Sequence, residues 1–299
     1  MPKRDKYLFV VAGPTAVGKT AIALELSRRF KAPIISADSR QIYKEMNIGT
    51  AKPTHGEIER APILLVDHVS VSETYSAGKF ETEAIQKLEE IHKDNDVAIL
   101  CGGTGLYIDA VLFGLDNFPK IDESIIQELE HDLQLKGIEV LRKELEEKDP
   151  DYYSEVDLDN PRRILRALSV IRQTGQSFSS FRKASPKKRS FQVKGCVLEM
   201  PREDLYERIN LRVDKMITSG LVEEVKFLLP FKNLKALQTV GYQELFPYLE
   251  DKISLEEALD EIKKFSRRYA KRQITWLKRY DWPRFHPADI ENITKYFEE

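Results

Sequence analysis

The chain has 299 residues, of which 41% are hydrophobic and 32% charged. That composition supplies a sizeable core and a salt-rich surface, and it excludes a disordered or collagen-like chain. Lys plus Arg number 47 against 49 for Asp plus Glu, a net charge of −2 that on its face argues against a nucleic-acid partner.

In chain order, Tyr7-Leu-Phe-Val-Val-Ala12 is short, apolar and rich in strand formers, the pattern of a strand buried on both faces of a parallel sheet. A Gly-rich turn follows, and Ile22, Ala23, Leu26 and Phe30 recur at helical spacing over Lys19 to Phe30. Pro33 to Ser36 and Ile63 to Val66 read as the next strands, Phe80 to His92 as an amphipathic helix, and Val97 to Cys101 as another buried strand. A second Gly-rich turn leads into a helix over Leu106 to Leu112. Such alternation predicts a doubly wound α/β fold.

At Pro119 the character changes. Ile121 to Tyr153 is helical in period and shows no strand, and Pro161 to Arg172 is a further helix with Ile164, Leu165, Leu168 and Ile171 on one face. Phe191 to Met200 alternates and is expected to rejoin the sheet. Arg202 to Thr218, Leu221 to Leu229 and Ser254 to Lys278 then read as helices. The organisation expected is a core of residues 1–119 and 190–299 interrupted by a helical insertion over 120–189.

Charge is unevenly spread along this frame. Arg162, Arg163, Arg166, Arg172, Arg182, Lys183, Lys187, Lys188, Arg189 and Lys194 fall in one stretch with no acidic residue, and Phe178, Phe181 and Phe191 are interleaved with them. Lys263 to Arg284 holds nine basic residues against Asp281 alone, whereas carboxylates dominate from Ile121 to Asn160. The neutral total hides local fields, and the two basic segments are candidate polyanion contacts.

Cys101 and Cys196 lie too far apart in sequence for a disulfide framework or zinc cluster, and a reducing, cytoplasmic compartment is expected. The five histidines show no metal-ligand spacing. No apolar run approaches the ~18 residues that span a bilayer, and the basic start is followed by too short an apolar run for a signal peptide.

The strongest chemical signal is Gly13-Pro14-Thr15-Ala16-Val17-Gly18-Lys19-Thr20, which fits G-x-x-x-x-G-K-[ST] between a strand and a helix. Its glycines let backbone N–H groups point into one concavity, and the helix N-terminus adds positive field. Lys19 supplies a cation, and the Thr20 hydroxyl is a ligand for Mg²⁺. The loop predicts a P-loop NTPase-like core holding a di- or triphosphate, without saying which compound.

Asp38-Ser39-Arg40-Gln41 follows the second strand, where ligands of open α/β sheets bind. Asp38 is a candidate base, although Asp38-x-x-Gln41 also fits a capping-box variant opening a helix, and the roles can coexist. Thr104, within Gly102-Gly-Thr-Gly105, either caps the next helix or donates to a substrate. Ile63 to Asp67 is a weak metal-site pattern. Arg208 and Arg212 share a helix face and could clamp phosphate oxygens, or pair at the surface. In Arg267 to Trp276, basic and aromatic residues alternate as they would on a helix meeting RNA, yet Tyr269 and Trp276 fit core anchors equally well.

In this order the motifs resemble the tRNA dimethylallyltransferase (tRNA isopentenyltransferase) family of bacterial type. The stretches that carry the resemblance are Gly13 to Thr20, Asp38 to Tyr43, Asn47 to Pro53, Gly102 to Tyr107, Asn160 to Leu168, Thr174-Gly175, Gly241-Tyr242 and Arg272 to Trp276. The resemblance implies transfer of a dimethylallyl group from dimethylallyl diphosphate to N6 of adenosine 37 in tRNA, with Mg²⁺ as cofactor. It implies that the P-loop holds the donor diphosphate, together with Arg212, and that Asp38 is the base at N6. Lys19 and Thr104 complete the implied catalytic set, with Thr104 touching the adenine. Ser39, Arg40 and Gln41, and Arg162, Arg163, Ile164, Leu165 and Arg166, match tRNA-contacting regions, so the insertion would grip tRNA. A monomer with no membrane partner is the expectation.

Four positions depart from the family pattern. Ile63 and Leu64 replace a His-His pair, Lys79 stands where Asp is usual, and Gln243 where Lys or Arg is usual. The competing readings are a P-loop kinase using ATP on a nucleotide or metabolite, a non-catalytic nucleotide-gated RNA-binding module, and a relative that prenylates free adenine nucleotides. The basic segments argue against the first and third, and the Asp38 and Thr104 pair argues against the second.

Overall fold

A computed structural model describes residues 5–182 and 186–299 of the chain. Two units separate: residues Met1–Phe113 with Lys188–Glu299, and Gly114–Lys187. The helical unit thus starts at Gly114, a few residues before the composition changes at Pro119.

In the first unit, the strands are β1 (Tyr7–Ala12), β2 (Ile34–Ala37), β3 (Ile63–Leu64), β4 (Val97–Gly102), β5 (Gln192–Leu198) and β6 (Arg284–Phe285). They form one sheet in the order β3-β2-β4-β1-β5-β6, with every pairing parallel. The helices of this unit are α1 (Lys19–Phe30), α2 (His55–Arg60), α3 (Ala77–Asp94) and α4 (Gly105–Phe113) before the insertion.

β1 explains why the opening run reads as continuously apolar. Leu8, Val10 and Ala12 point into a core shared with Phe80, Leu88 and Ile108 of α3 and α4. Phe9 and Val11 point the other way, onto Ile22 and Leu26 of α1. Both faces are covered, so alternation vanishes from the sequence. Each fully buried Leu or Val contributes about 1.5–3 kcal/mol. The direction of winding reverses about β1, with β4 on one side and β5 on the other. That places a ligand crevice at the carboxyl ends of these strands.

The second unit carries α5 (Glu123–Lys136), α6 (Ile138–Lys148), α7 (Pro150–Glu155), α8 (Pro161–Thr174) and α9 (Phe178–Phe181). Leu129, Leu141, Leu145, Ile164, Leu168 and Phe178 make its core. Pro161 opens α8 and Gly175, at φ 71°, closes it, as expected for the N1 and left-handed cap positions.

After β5 the first unit continues with α10 (Arg202–Thr218), α11 (Leu221–Leu228), α12 (Phe246–Leu249), α13 (Leu255–Leu277) and α14 (Ile290–Glu298). α13 starts at a capping box in which Ser254 and Glu257 serve each other's backbone amides. Its 23 residues end at Leu277, one residue short of the expected Lys278.

Beside shifts of one to three residues at several element ends, the structure differs from the sequence reading as follows. β2 runs one residue later than Pro33 to Ser36. β3 stops at Leu64, because Leu65 adopts φ 59° and turns the chain out of the sheet. No helix follows Asp38; residues 39–45 are turns, save Tyr43, which bridges Val69. The Asp67 carboxylate of the weak metal pattern is instead paired with Lys52 at 2.7 Å. β6, α2, α12 and α14 were not read from the sequence.

Candidate active site

The loop between β1 and α1 is shaped by two residues at positive φ, Ala16 at 65° and Gly18 at 107°. Gly18 is the N-cap of α1, no side chain caps that helix, and its first turn holds no acidic residue. The amides at this end are therefore left to an anion. The Lys19 ammonium reaches back to the Pro14 carbonyl at 2.7 Å. Burial pulls its pKa down to about 8, partly opposed by Cys101 and Asp38 and reinforced by Arg212. Thr20 opens α1 beside it.

α10 brings a second cation to the same loop. The Arg212 guanidinium donates to the Thr15 hydroxyl at 3.0 Å and to the Thr50 carbonyl at 3.5 Å. Burial lowers its pKa, and Asp38 opposes that shift. Arg208 is exposed and lies beside Gly18, its guanidinium 3.6 Å from where a Cβ would stand. Both arginines of the predicted face thus turn toward the P-loop, and Arg212 is the one bonded to it.

At the carboxyl end of β2, Asp38 is half-buried. One carboxylate oxygen accepts from the Arg40 and Gln41 amides at 2.8 and 3.3 Å. This is an Asx-type turn, so Asp38 caps a turn and not a helix. The next amide, Ser39, donates to the Thr104 hydroxyl at 3.1 Å. Thr104 therefore does not cap α4 with its side chain; it joins the loop after β4 to the loop after β2. The Tyr269 phenol of α13 lies in the same field: burial raises its pKa, followed by Asp38, while Thr104 pulls it back.

Several predicted RNA-contact side chains are engaged internally. The Arg40 guanidinium donates to the Ala236 and Lys235 carbonyls at 3.2 and 3.4 Å. The Gln41 amide donates to the Ala51 and Thr50 carbonyls at 3.0 and 3.3 Å. In the second unit, Ile164 is fully buried and belongs to the core. Arg162, Arg163 and Arg166 face outward, with Leu165 half-buried. Arg166 stacks over Phe118, 5.1 Å from the ring centre.

The acid-free basic stretch is less free than its sequence suggests. Arg172 binds Glu144, Asp132 and Glu128 at 2.6, 3.0 and 3.0 Å. Arg182 pairs with Glu155 at 2.6 Å and Arg189 with Glu81 at 2.9 Å. Lys183 lies outside the described residues. On α13 and just past its end, guanidiniums sit over aromatic rings three residues earlier: Arg268 over Phe265, Arg272 over Tyr269 and Arg279 over Trp276. Of the departures from the family pattern, Ile63 and Leu64 form β3, Lys79 lies 3.9 Å from Glu83, and the Gln243 amide donates to Glu244 at 2.9 Å.

Two residues of the site escaped the sequence reading as individuals. Gln273 of α13 accepts from the Thr15 amide at 2.8 Å and donates to the Gly103 carbonyl at 2.9 Å. Glu224 of α11 accepts from the Asn47, Ile48 and Gly49 amides at 3.0, 2.8 and 3.0 Å, fixing the loop whose Thr50 carbonyl meets Arg212. Gln273 falls within the Arg272 to Trp276 stretch, which was the only signal for it.

The IPP transferase family model matches residues 41–280. A tRNA dimethylallyltransferase of Cytophaga hutchinsonii is 44% identical over 297 residues, covering 98% of this chain and 97% of the relative. That of Christiangramia forsetii is 46% identical over 297 residues, covering 98% of each. Among solved structures, the full-length tRNA isopentenylpyrophosphate transferase of Bacillus halodurans superposes with a TM-score of 0.71 at 36% identity, over 98% of this chain and 96% of that one. A eukaryotic dimethylallyltransferase acting on tRNA gives 0.76 at 30% identity, over 91% and 70%. With a family match over residues 41–280 and relatives at 44% and 46% identity along nearly its whole length, the chain belongs to the IPP transferase family.

Proposed function

We propose that this chain transfers a dimethylallyl group from dimethylallyl diphosphate to N6 of adenosine 37 in tRNA. The observation that carries the reading is electrostatic. One half-buried carboxylate, Asp38, lies in the field of both Lys19 and Arg212 and is joined through Ser39 to Thr104. A loop for anions and a base for an amine are thus neighbours.

The allylic C1–oxygen bond breaks as the N6–C1 bond forms, and negative charge grows on the departing diphosphate. The P-loop amides, Lys19 and Arg212 are aimed at that charge. Asp38 takes the proton that N6 loses, since an exocyclic amine is a poor nucleophile without a base. Thr104 is placed to orient the adenine, which must leave the anticodon loop to be reached. Arg162, Arg163 and Arg166 supply a basic surface for the RNA backbone on the helical unit, and the outward arginines of α13 supply another on the first unit.

Mg²⁺ fits this site in one way. Among the described residues no three His, Cys, Asp or Glu side chains gather into a metal cage. A hydroxyl such as Thr20 beside a diphosphate is the donor set Mg²⁺ prefers, with water and phosphate oxygens completing it. When bound it would add positive charge at the leaving group. Among the described residues no helix is long and apolar enough to cross a membrane, and a cytoplasmic protein acting on tRNA is the reading we favour.

The test incubates the protein with labelled dimethylallyl diphosphate and unmodified tRNA carrying A37, beside a G37 control. Label on the A37 tRNA alone is expected. ATP turnover without label would replace this reading with a P-loop kinase.

A further inference from the structure

Gln273 lies on α13, far along the chain from both loops it touches, and its side chain is 7% exposed. Both ends of its amide are spent on backbone: the oxygen on the Thr15 amide at 2.8 Å, the nitrogen on the Gly103 carbonyl at 2.9 Å. A buried side-chain amide satisfied by two separate loops fixes the distance between them. Gly103 allows the approach, because a Cβ there would stand 2.3 Å from the Gln273 nitrogen and 2.9 Å from the Gly13 carbonyl.

The two loops serve opposite ends of the reaction. Thr15 belongs to the P-loop, where its hydroxyl also accepts from Arg212 at 3.0 Å. Gly103 precedes Thr104, whose amide donates to the Ala37 carbonyl at 3.2 Å and whose hydroxyl accepts from Ser39 at 3.1 Å, one residue past Asp38. A short path of hydrogen bonds therefore runs from the leaving-group side, through one glutamine, to the nucleophile side.

We infer that Gln273 is a positioning residue that sets the separation between the diphosphate cradle and the Asp38–Thr104 pair. The inference rests on the transfer reaction proposed above. Bond-making at C1 needs the amine within about 3–3.5 Å and in line with the departing oxygen, and a displacement of about 1 Å costs about 10²-fold in rate. Neither loop has another direct side-chain bridge to the other among the hydrogen bonds of the described residues.

If the loops drift apart, the allylic carbon can still lose its diphosphate yet meet water instead of N6. Water then forms the C1–O bond, its proton goes to solvent, and the products are dimethylallyl alcohol and diphosphate. Product partition is thus a readout that a merely structural glutamine would not move.

The experiment compares wild type with Gln273→Ala, Gln273→Asn and Gln273→Glu in the full chain. It measures kcat, KM for dimethylallyl diphosphate, tRNA Kd, thermal midpoint and the ratio of alcohol to prenylated tRNA. Asn keeps the amide but is one methylene short of spanning the gap. Glu keeps the acceptor for Thr15 but cannot donate to Gly103 when ionised. Expected for Ala and Asn is a loss in kcat of about 10²-fold, with KM and tRNA Kd within about threefold and a rise in the alcohol fraction. Glu should share the rise in alcohol.

Loss confined to KM, or to the thermal midpoint with an unchanged alcohol fraction, overturns the inference and leaves Gln273 as a packing residue. Full activity in all three variants overturns it too. A wild-type chain that prenylates no tRNA overturns the transfer reading itself, a result distinct from the others because no variant is needed to see it.

Discussion

Replacing Lys19 by Met should stabilise the free protein while abolishing diphosphate binding, and both effects have one cause. Burial takes the Lys19 ammonium from its ordinary value of 10.5 to about 8. A shift of that size is about 3 kcal/mol of extra cost for the charged form. Between the two values the unfolded chain holds the proton more tightly than the folded one. The penalty is therefore present in full below the folded-state value and is relieved as pH rises through it toward the unfolded one. Met removes the charge, but it also removes the bond to the Pro14 carbonyl, worth about 1 kcal/mol. The net gain is about 2 kcal/mol near neutral pH, or about 4–8 °C in Tm for a unit of this size. Calorimetry at neutral pH reads the first effect. Titration with inorganic diphosphate reads the second: wild-type affinity should fall about tenfold per pH unit above the folded-state pKa. Lys19→Arg, charged throughout, should show no such fall. A Met variant that melts at or below wild type, or a wild-type affinity flat across that range, would refute the reasoning.

The remaining predictions concern the other walls of the site. Asp38→Asn keeps an oxygen for the Arg40 and Gln41 amides but cannot take a proton, so kcat should fall at least about 10²-fold with tRNA Kd and Tm unchanged. Retained turnover would leave Asp38 as a turn cap only. Glu224→Ala strips three amides and the Tyr242 hydroxyl of their acceptor. Stability should drop by at least about 2 kcal/mol, and an unfolding midpoint equal to wild type in urea would contradict that.

What was legible in the sequence follows from how local each feature is. The P-loop is contiguous because a phosphate cradle is built from successive amides, so spacing alone carries it. β1 and α1 are legible to the residue, since β1 is an unbroken apolar run ended by Gly13 and α1 a periodic one opened by Gly18. β3 and β6 are two residues each, too short for any period to register. Asp38 to Gln41 left two readings open for a physical reason: the Asp38-x-x-Gln41 pattern serves turns as well as helices. The loop at residues 47–50 is held from a distance by Glu224 and Arg212. Gln273 was legible only within a motif, because its meaning lies in two partners, Thr15 and Gly103, that the chain reaches by tertiary folding.

Charge shows the same limit, and it yields a test that separates two kinds of arginine. The 47 basic and 49 acidic residues do not merely average out over the surface; some of them neutralise each other in contact. Arg172 holds three carboxylates of its own unit, which raise its pKa, Glu144 foremost. An arginine so engaged has no charge to spare for a phosphate. Arg163 is exposed and has no ion pair among the described residues, so it can displace a counterion. Arg163→Ala should therefore weaken tRNA binding and reduce the slope of log K against log salt by about 1, leaving stability alone. Arg172→Ala should do the reverse: the slope stays, and the helical unit loses about 1–3 kcal/mol as half-buried Glu144 loses its partner and buried Asp132 is left with Lys136 alone. Salt titrations of the two variants, read beside their melting curves, decide the matter. A slope for Arg163→Ala equal to wild type would mean that Arg163 meets no phosphate, and a lowered slope for Arg172→Ala would mean that its ion pairs open on binding.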